Sequence, residues 1–72
     1  MRSYTFKRDG ENNMKRGHPT DKHAMQYCYD LAQSGEAKPV FAYHGTTLIG
    51  GADRGKLYDA AEAQKVLDAA KA

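Results

Sequence analysis

The sequence has only one cysteine and no long apolar run, and each of these two features excludes a class of protein. Because Cys28 stands alone, the disulfide framework of small secreted domains cannot form within the chain. No apolar stretch approaches the roughly 20 residues that a membrane-spanning helix needs. The N-terminal segment, residues 1–8, lacks the apolar core of a secretory signal. We therefore expect a cytoplasmic protein without a membrane partner.

Length and charge narrow the expected role further. The length of 72 residues predicts a single small domain spanning residues 1–72, and in a domain of this size a binding role is favoured over catalysis in a deep cavity. The formal net charge of +2 does not by itself predict a nucleic-acid partner. Its distribution is uneven, however, because residues 1–23 hold six Lys or Arg against three acidic residues. The N-terminal third is thus the electropositive part of the chain.

The N-terminal half is predicted to form one strand, one loop and one helix. Residues 3–8 alternate in polarity, which predicts a half-buried strand. Residues 10–19 are polar and lack an apolar period, so we expect a flexible loop. Thr20 is the predicted N-cap of a helix over residues 21–34, with Gly35 as its stop. The stripe expected to face the sheet consists of Ala24, Met25, Cys28, Leu31 and Ala32.

The C-terminal half is predicted to form a hairpin and a second helix. The β-rich runs 39–43 and 46–49 flank His44-Gly45, a two-residue connection typical of a tight hairpin. Its expected pairs are Phe41–Leu48 and Val40–Ile49, which makes the hairpin apolar on both faces. Asp59, with Glu62 three residues later, resembles a capping box for the last helix.

These elements predict a small two-layer α+β sandwich in the order β-α-β-β-α. The sheet would have three largely antiparallel strands, and both helices would lie on one face. One face of the hairpin would then need a second cover or serve as an interaction surface.

A glycine-rich stretch spells G-x-x-x-x-G-K over residues 50–56. This pattern is typical of a phosphate-binding loop, but Leu57 follows where that loop needs Ser or Thr for Mg²⁺. We expect a structural connection from sheet to helix. A weaker alternative is an anion site made by the backbone N–H groups with Arg54 and Lys56.

The titratable residues show no pattern of a catalytic or metal site. His18, His23 and Cys28 are each five positions apart, which does not match the spacing of metal ligands on one helix face. Cys28 lies in the middle of an apolar stripe, where an inert thiol is expected. The sequence therefore predicts no catalytic residue, no metal and no cofactor.

The aromatic composition favours a protein partner. Five tyrosines against two phenylalanines is a surface-leaning set, and tyrosine is enriched at protein interfaces. We expect a non-catalytic interaction module that docks on and blocks a larger protein, as small phage and mobile-element inhibitors do. The sequence also allows a homodimer. The candidate partner-binding residues are Lys15, Arg16, Tyr27, Tyr29 and Tyr43.

A nucleic-acid-binding module is the alternative. Basic residues beside aromatic ones can hold phosphates while bases stack on the rings. Binding of this kind would weaken steeply with added salt, whereas an apolar contact would respond little. The residues that would carry it are Arg2, Lys7, Arg8, Lys15, Arg16 and Lys22.

Overall fold

A computed structural model describes residues 1–8, 10–34 and 38–71, which form a five-stranded antiparallel sheet and two helices. The elements are β1 (Arg2–Arg8), β2 (Met14–His18), α1 (Asp21–Gln33), β3 (Val40–His44), β4 (Thr47–Asp53), β5 (Lys56–Asp59) and α2 (Ala60–Lys71). The predicted α+β class, with two helices and an antiparallel sheet, is confirmed. The three-stranded sheet and the order β-α-β-β-α are wrong, since the chain order is β-β-α-β-β-β-α. Across the sheet the strands follow the order β2-β1-β3-β4-β5.

Strand β2 lies within residues 10–19, where the sequence predicted a flexible loop. It pairs antiparallel with β1, and Met14, Arg16 and His18 point towards α1. The Arg16 guanidinium carbon lies 4.7 Å from the centroid of the Tyr27 ring. The sequence did not predict this strand, because Arg16 and His18 occupy inner-face positions at which an alternating strand would carry apolar residues.

The β3–β4 hairpin turns one residue later than predicted. The turn falls at residues 45–46 instead of 44–45, and Gly45 takes a φ of +64° that favours glycine. A bulge beside Ala42 shifts the register again. The observed pairs are Tyr43–Leu48, Phe41–Gly51 and Val40–Ala52, in place of the predicted Phe41–Leu48 and Val40–Ile49.

Helix α1 covers one face of the sheet, here named the inner face. It begins as predicted, because the Thr20 hydroxyl accepts a hydrogen bond from the His23 N–H at 3.2 Å. Its C-cap is Ser34, and the predicted stop at Gly35 lies outside the described residues. The predicted stripe does meet the sheet, and the inner core comprises Tyr4, Phe6, Ala24, Cys28, Ala32, Val40, Ala42 and Ala52, with Met25 and Leu31 packed against it.

Helix α2 lies on the opposite face, here named the outer face, so the predicted two-layer arrangement with both helices on one face is wrong. A Cβ at Gly50 would lie 2.9 Å from the Met25 sulfur of α1, and one at Gly51 would lie 3.5 Å from the Ala63 Cβ of α2. Neighbouring residues of a strand point to opposite faces, which places one helix on each side of β4. Asp59 caps α2 as predicted, since its carboxylate accepts a hydrogen bond from the Glu62 N–H at 2.8 Å.

Candidate functional site

The outer face carries a groove between α2 and strands β1 and β3. Helix α2 packs over β4 and β5, and a cleft of about 480 Å³ opens beside it. We name this cleft the outer groove and define it by six lining residues: Lys7, Phe41, Tyr43, Val66, Leu67 and Ala70. It is an open apolar site of a size that can receive several side chains of a partner.

Strand alternation explains why these side chains line the groove. Tyr4 and Phe6 of β1 are buried in the inner core, so Lys7 points outward. By the same rule Phe41 and Tyr43 alternate with the buried Ala42 of β3. Phe41 is 7% exposed and forms the floor, while Tyr43 is half-buried. The groove thus has a firm aromatic floor held by two central strands.

The wall of the groove comes from one side of α2. Val66 and Leu67 are half-buried and Ala70 is exposed, whereas Ala63 one turn earlier is fully buried. In the sequence these four residues follow one another at the three- and four-residue spacing of a single apolar helical stripe. The residues beyond Ala63 therefore keep part of their apolar surface in contact with water.

The surroundings of the groove are basic. Strands β1, β2 and β3 contain no acidic residue. The Lys7 ammonium lies 4.7 Å from the centroid of the Tyr43 ring, a cation–π contact. Thr5 pairs with both Lys15 and Tyr43, which places Lys15 on the same face, about 10 Å or two strand spacings from Tyr43. The groove can therefore take an apolar group whose neighbours are negatively charged.

The glycine-rich stretch over residues 50–56 does not form the predicted connection from sheet to helix. It runs along β4, through a turn at Arg54 and Gly55, and into β5. The two turn N–H groups are already used: Arg54 N donates to the Asp53 carboxylate at 2.8 Å and Gly55 N donates to the Gln33 amide oxygen at 3.2 Å. This geometry contradicts the alternative of an anion site at this turn, because the donors it needs are occupied.

A second polar cluster lies on the inner face, where β1 meets the start of α1. The buried Tyr4 donates its hydroxyl proton to Asp21 at 2.5 Å, and Arg2 pairs with the same carboxylate at 3.1 Å. The Tyr4 hydrogen bond, followed by Arg2, holds the pKa of Asp21 below its usual value. Burial, followed by the bond to Asp21, raises the pKa of Tyr4. Since these groups satisfy one another, we assign the cluster a structural role.

His18 completes the inner aromatic cluster. Its ring centroid lies 5.7 Å from that of Phe6 and 5.2 Å from that of Tyr27. Within the described residues its buried Nε2 atom has no hydrogen-bond partner. Burial, followed by the charge of Arg16, lowers the pKa of His18.

The predicted partner-binding residues are divided between the two faces. Lys15 and Tyr43 lie on the outer face, whereas Arg16 and Tyr27 contact each other on the inner face. Tyr29 is half-buried and packs against the inner core. Only Tyr43 of this set lines the outer groove.

The predicted nucleic-acid residues are divided in the same way. Arg2 pairs with Asp21, and Arg8, whose side chain is 10% exposed, pairs with Glu11 and donates to the Leu31 carbonyl. Arg16 also lies on the inner face, Lys22 is exposed on α1, and Lys7 and Lys15 lie on the outer face. The six residues do not form one surface.

The sequence reasoning missed Val66, Leu67 and Phe41 as functional candidates. The observation that could have pointed to them was that the predicted hairpin is apolar on both faces. One of these faces therefore needed either a cover or a partner. The expected pairing with Leu48 was wrong, however, and the position of α2 was not foreseen.

No family model, curated protein or solved structure matches this chain. Among the described residues no cluster of His, Cys, Asp and Glu could hold a metal ion. In the same part of the chain no helix is long and apolar enough to cross a membrane.

Proposed function

We propose that this protein is a small non-catalytic interaction module that docks on a larger protein through the outer groove and blocks the surface it covers. One observation carries the proposal: the apolar side of α2 and the aromatic floor of β3 face each other across an open cleft. Burying such apolar surface is the main source of binding free energy between proteins. We further propose a cytoplasmic location, with which the free thiol of Cys28 is compatible.

Affinity purification from the source cells tests this proposal with a matched pair of substitutions. Leu67→Asp places a charge in the groove, whereas Leu57→Asp places the same charge on β5, where Leu57 is 48% exposed and pairs with the inner-face Ala52. We expect Leu57→Asp to retain the partner. Leu67→Asp should lose about 2 kcal/mol of binding, or about 30-fold in affinity.

A melting curve of each variant separates lost binding from lost folding. If Leu67→Asp melts early, Lys7→Glu replaces it, because Lys7 is exposed and its substitution leaves the core intact. A partner that is retained by both groove variants would refute the proposal. An inert monomer in sedimentation, with no partner captured, would do the same.

Nucleic acid is the second candidate, favoured by the acid-free strands β1, β2 and β3 and by Lys7 and Lys15, which lie on the same face as Tyr43. A labelled single-stranded oligonucleotide should then bind at low salt and weaken steeply as salt rises. Absence of binding at low salt would remove this candidate.

A further inference from the structure

We propose that the outer groove receives a single amphipathic helix of the partner protein, flanked by acidic residues and lying beside α2 over β3 and β1. The inference rests on the proposed function and adds the conformation and the charge of the bound segment. It follows from three features of the outer face: its width, its hydrogen bonding and its charge.

The width of the open part of the face matches one helix. Helix α2 packs over β4 and β5, which leaves β3, β1 and β2 beside it. Three strands spaced about 4.8 Å apart span roughly 10–14 Å. A helix with its side chains is about 10–12 Å in diameter, and packed helices lie about 8–10 Å apart. A second helix therefore fits alongside α2, in contact with Val66 and Ala70 on one side and Tyr43 below.

The hydrogen bonding of the sheet favours a helix over an added strand. Strand β1 pairs with β2 and β3, and β3 pairs with β1 and β4, so both strands beneath the groove have neighbours on both sides. A bound segment cannot extend the sheet there. Its backbone N–H and C=O groups that face the apolar groove find no partner in the sheet, whereas a helix satisfies these groups within itself.

The charge of the face determines which helix fits. Lys7 and Lys15 point outward from strands that contain no acidic residue. Carboxylates along the margin of a bound helix would complement these lysines, whereas a basic margin would be repelled. A second copy of this chain would present the same basic strands, so we assign the site to a different protein.

Two displayed peptide libraries, screened against the intact chain, test the inference. Both contain peptides of about 15 residues, a length at which an amphipathic helix can form. One library fixes leucines at the helical spacing i, i+3, i+4 and i+7, and the other fixes them at alternate positions as in a strand. In both, the remaining positions vary among Glu, Lys, Gln and Ser.

We expect winners from the helical library with an excess of glutamate beside the leucine stripe. Their affinity should fall by about tenfold or more for Leu67→Asp and remain unchanged for Leu57→Asp. Lys7→Glu should weaken the acidic winners, and replacing one of their glutamates by lysine should restore binding to that variant. This reversal would identify the charge contact directly.

The other outcomes separate the two proposals. Winners from the alternating library, or helical winners without an acidic excess, that still depend on Leu67 would overturn this inference and leave the interaction module standing. Selected peptides whose affinity is unchanged by both Leu67→Asp and Lys7→Glu would overturn both proposals. An oligonucleotide that binds at low salt and displaces every winner would assign the face to nucleic acid, and a dimer dissolved by Leu67→Asp would assign it to a second copy.

Discussion

Gly50 and Gly51 let β4 lie close to its neighbouring strands, and Gly50 also lets it lie close to Met25 of α1. A Cβ at Gly50 would lie 2.8 Å from the Tyr58 carbonyl oxygen, and one at Gly51 would lie 2.9 Å from the Val40 carbonyl oxygen. Both contacts involve backbone atoms, which cannot rotate away as a flexible side chain can. The glycines that suggested a phosphate loop in the sequence therefore serve close packing.

Gly51→Ala should destabilise the protein by about 2 kcal/mol, because the new methyl group overpacks the space between Val40 and Phe41. Urea unfolding measures the change. Gly17→Ala is the matched control: Gly17 also lies in a strand, but its nearest atom is a Met1 side-chain sulfur at 3.4 Å. Gly17→Ala should leave the free energy of unfolding unchanged or raise it slightly, since alanine restricts the conformations of the unfolded chain. Equal effects at both positions would contradict the packing argument.

Cys28 should resist alkylation in the folded protein. Its thiol is buried and lies 3.4 Å from the Val40 carbonyl oxygen, and burial raises its pKa to about 12. At about pH 8 almost no thiolate is present in the folded state, and the reagent cannot reach the sulfur. Labelling followed by mass spectrometry should therefore proceed only through transiently unfolded molecules and become rapid in denaturant. Rapid, complete labelling of the native protein would show that the inner core is open.

At the scale of the elements, periodicity predicted those that carry their own apolar pattern. Helix α1 and strand β1 show a clear stripe or alternation, and Thr20 marks the helix start. Strand β5 has four residues and follows an Arg54-Gly55 turn that was interpreted as part of a longer connection. Short edge strands depend on their neighbours more than on their own sequence. That dependence explains why β2 and β5 could not be predicted.

Asp59→Ala should remove about 1 kcal/mol of stability by leaving the first turn of α2 without its cap. The carboxylate accepts the Glu62 N–H, and β5 passes directly into the helix at this residue. Asp59→Asn keeps a side-chain oxygen for the same bond and should retain most of the stability. Thermal unfolding of the two variants makes the comparison. If the asparagine variant loses as much as the alanine variant, the cap is not the cause.

At the scale of the whole molecule, the placement of the helices creates the candidate site. One helix per face leaves part of the outer face open, and that opening is the outer groove. The sequence indicated that the hairpin has two apolar faces, since the adjacent residues Val40 and Phe41 of a β-rich run point to opposite faces. It could not indicate which face each helix takes, because both helices carry one apolar stripe and either face would bury it.

Stability should fall as the pH drops below the ordinary pKa of histidine, near 6.5, because the pKa of His18 is lowered in the fold. Below this value the unfolded chain binds a proton that the folded protein does not. The contribution of His18 to the stability of the folded protein is therefore fully present above pH 6.5 and is lost as the pH falls towards the lowered pKa of the folded state. Asp21 acts in the same direction, but only below its ordinary pKa of 3.8. Urea midpoints between about pH 8 and about pH 5 measure the pH dependence above the range in which Asp21 acts. His18→Phe keeps a ring against Phe6 and Tyr27 and should flatten the profile in this window. An unchanged slope in that variant would assign the pH dependence to another group.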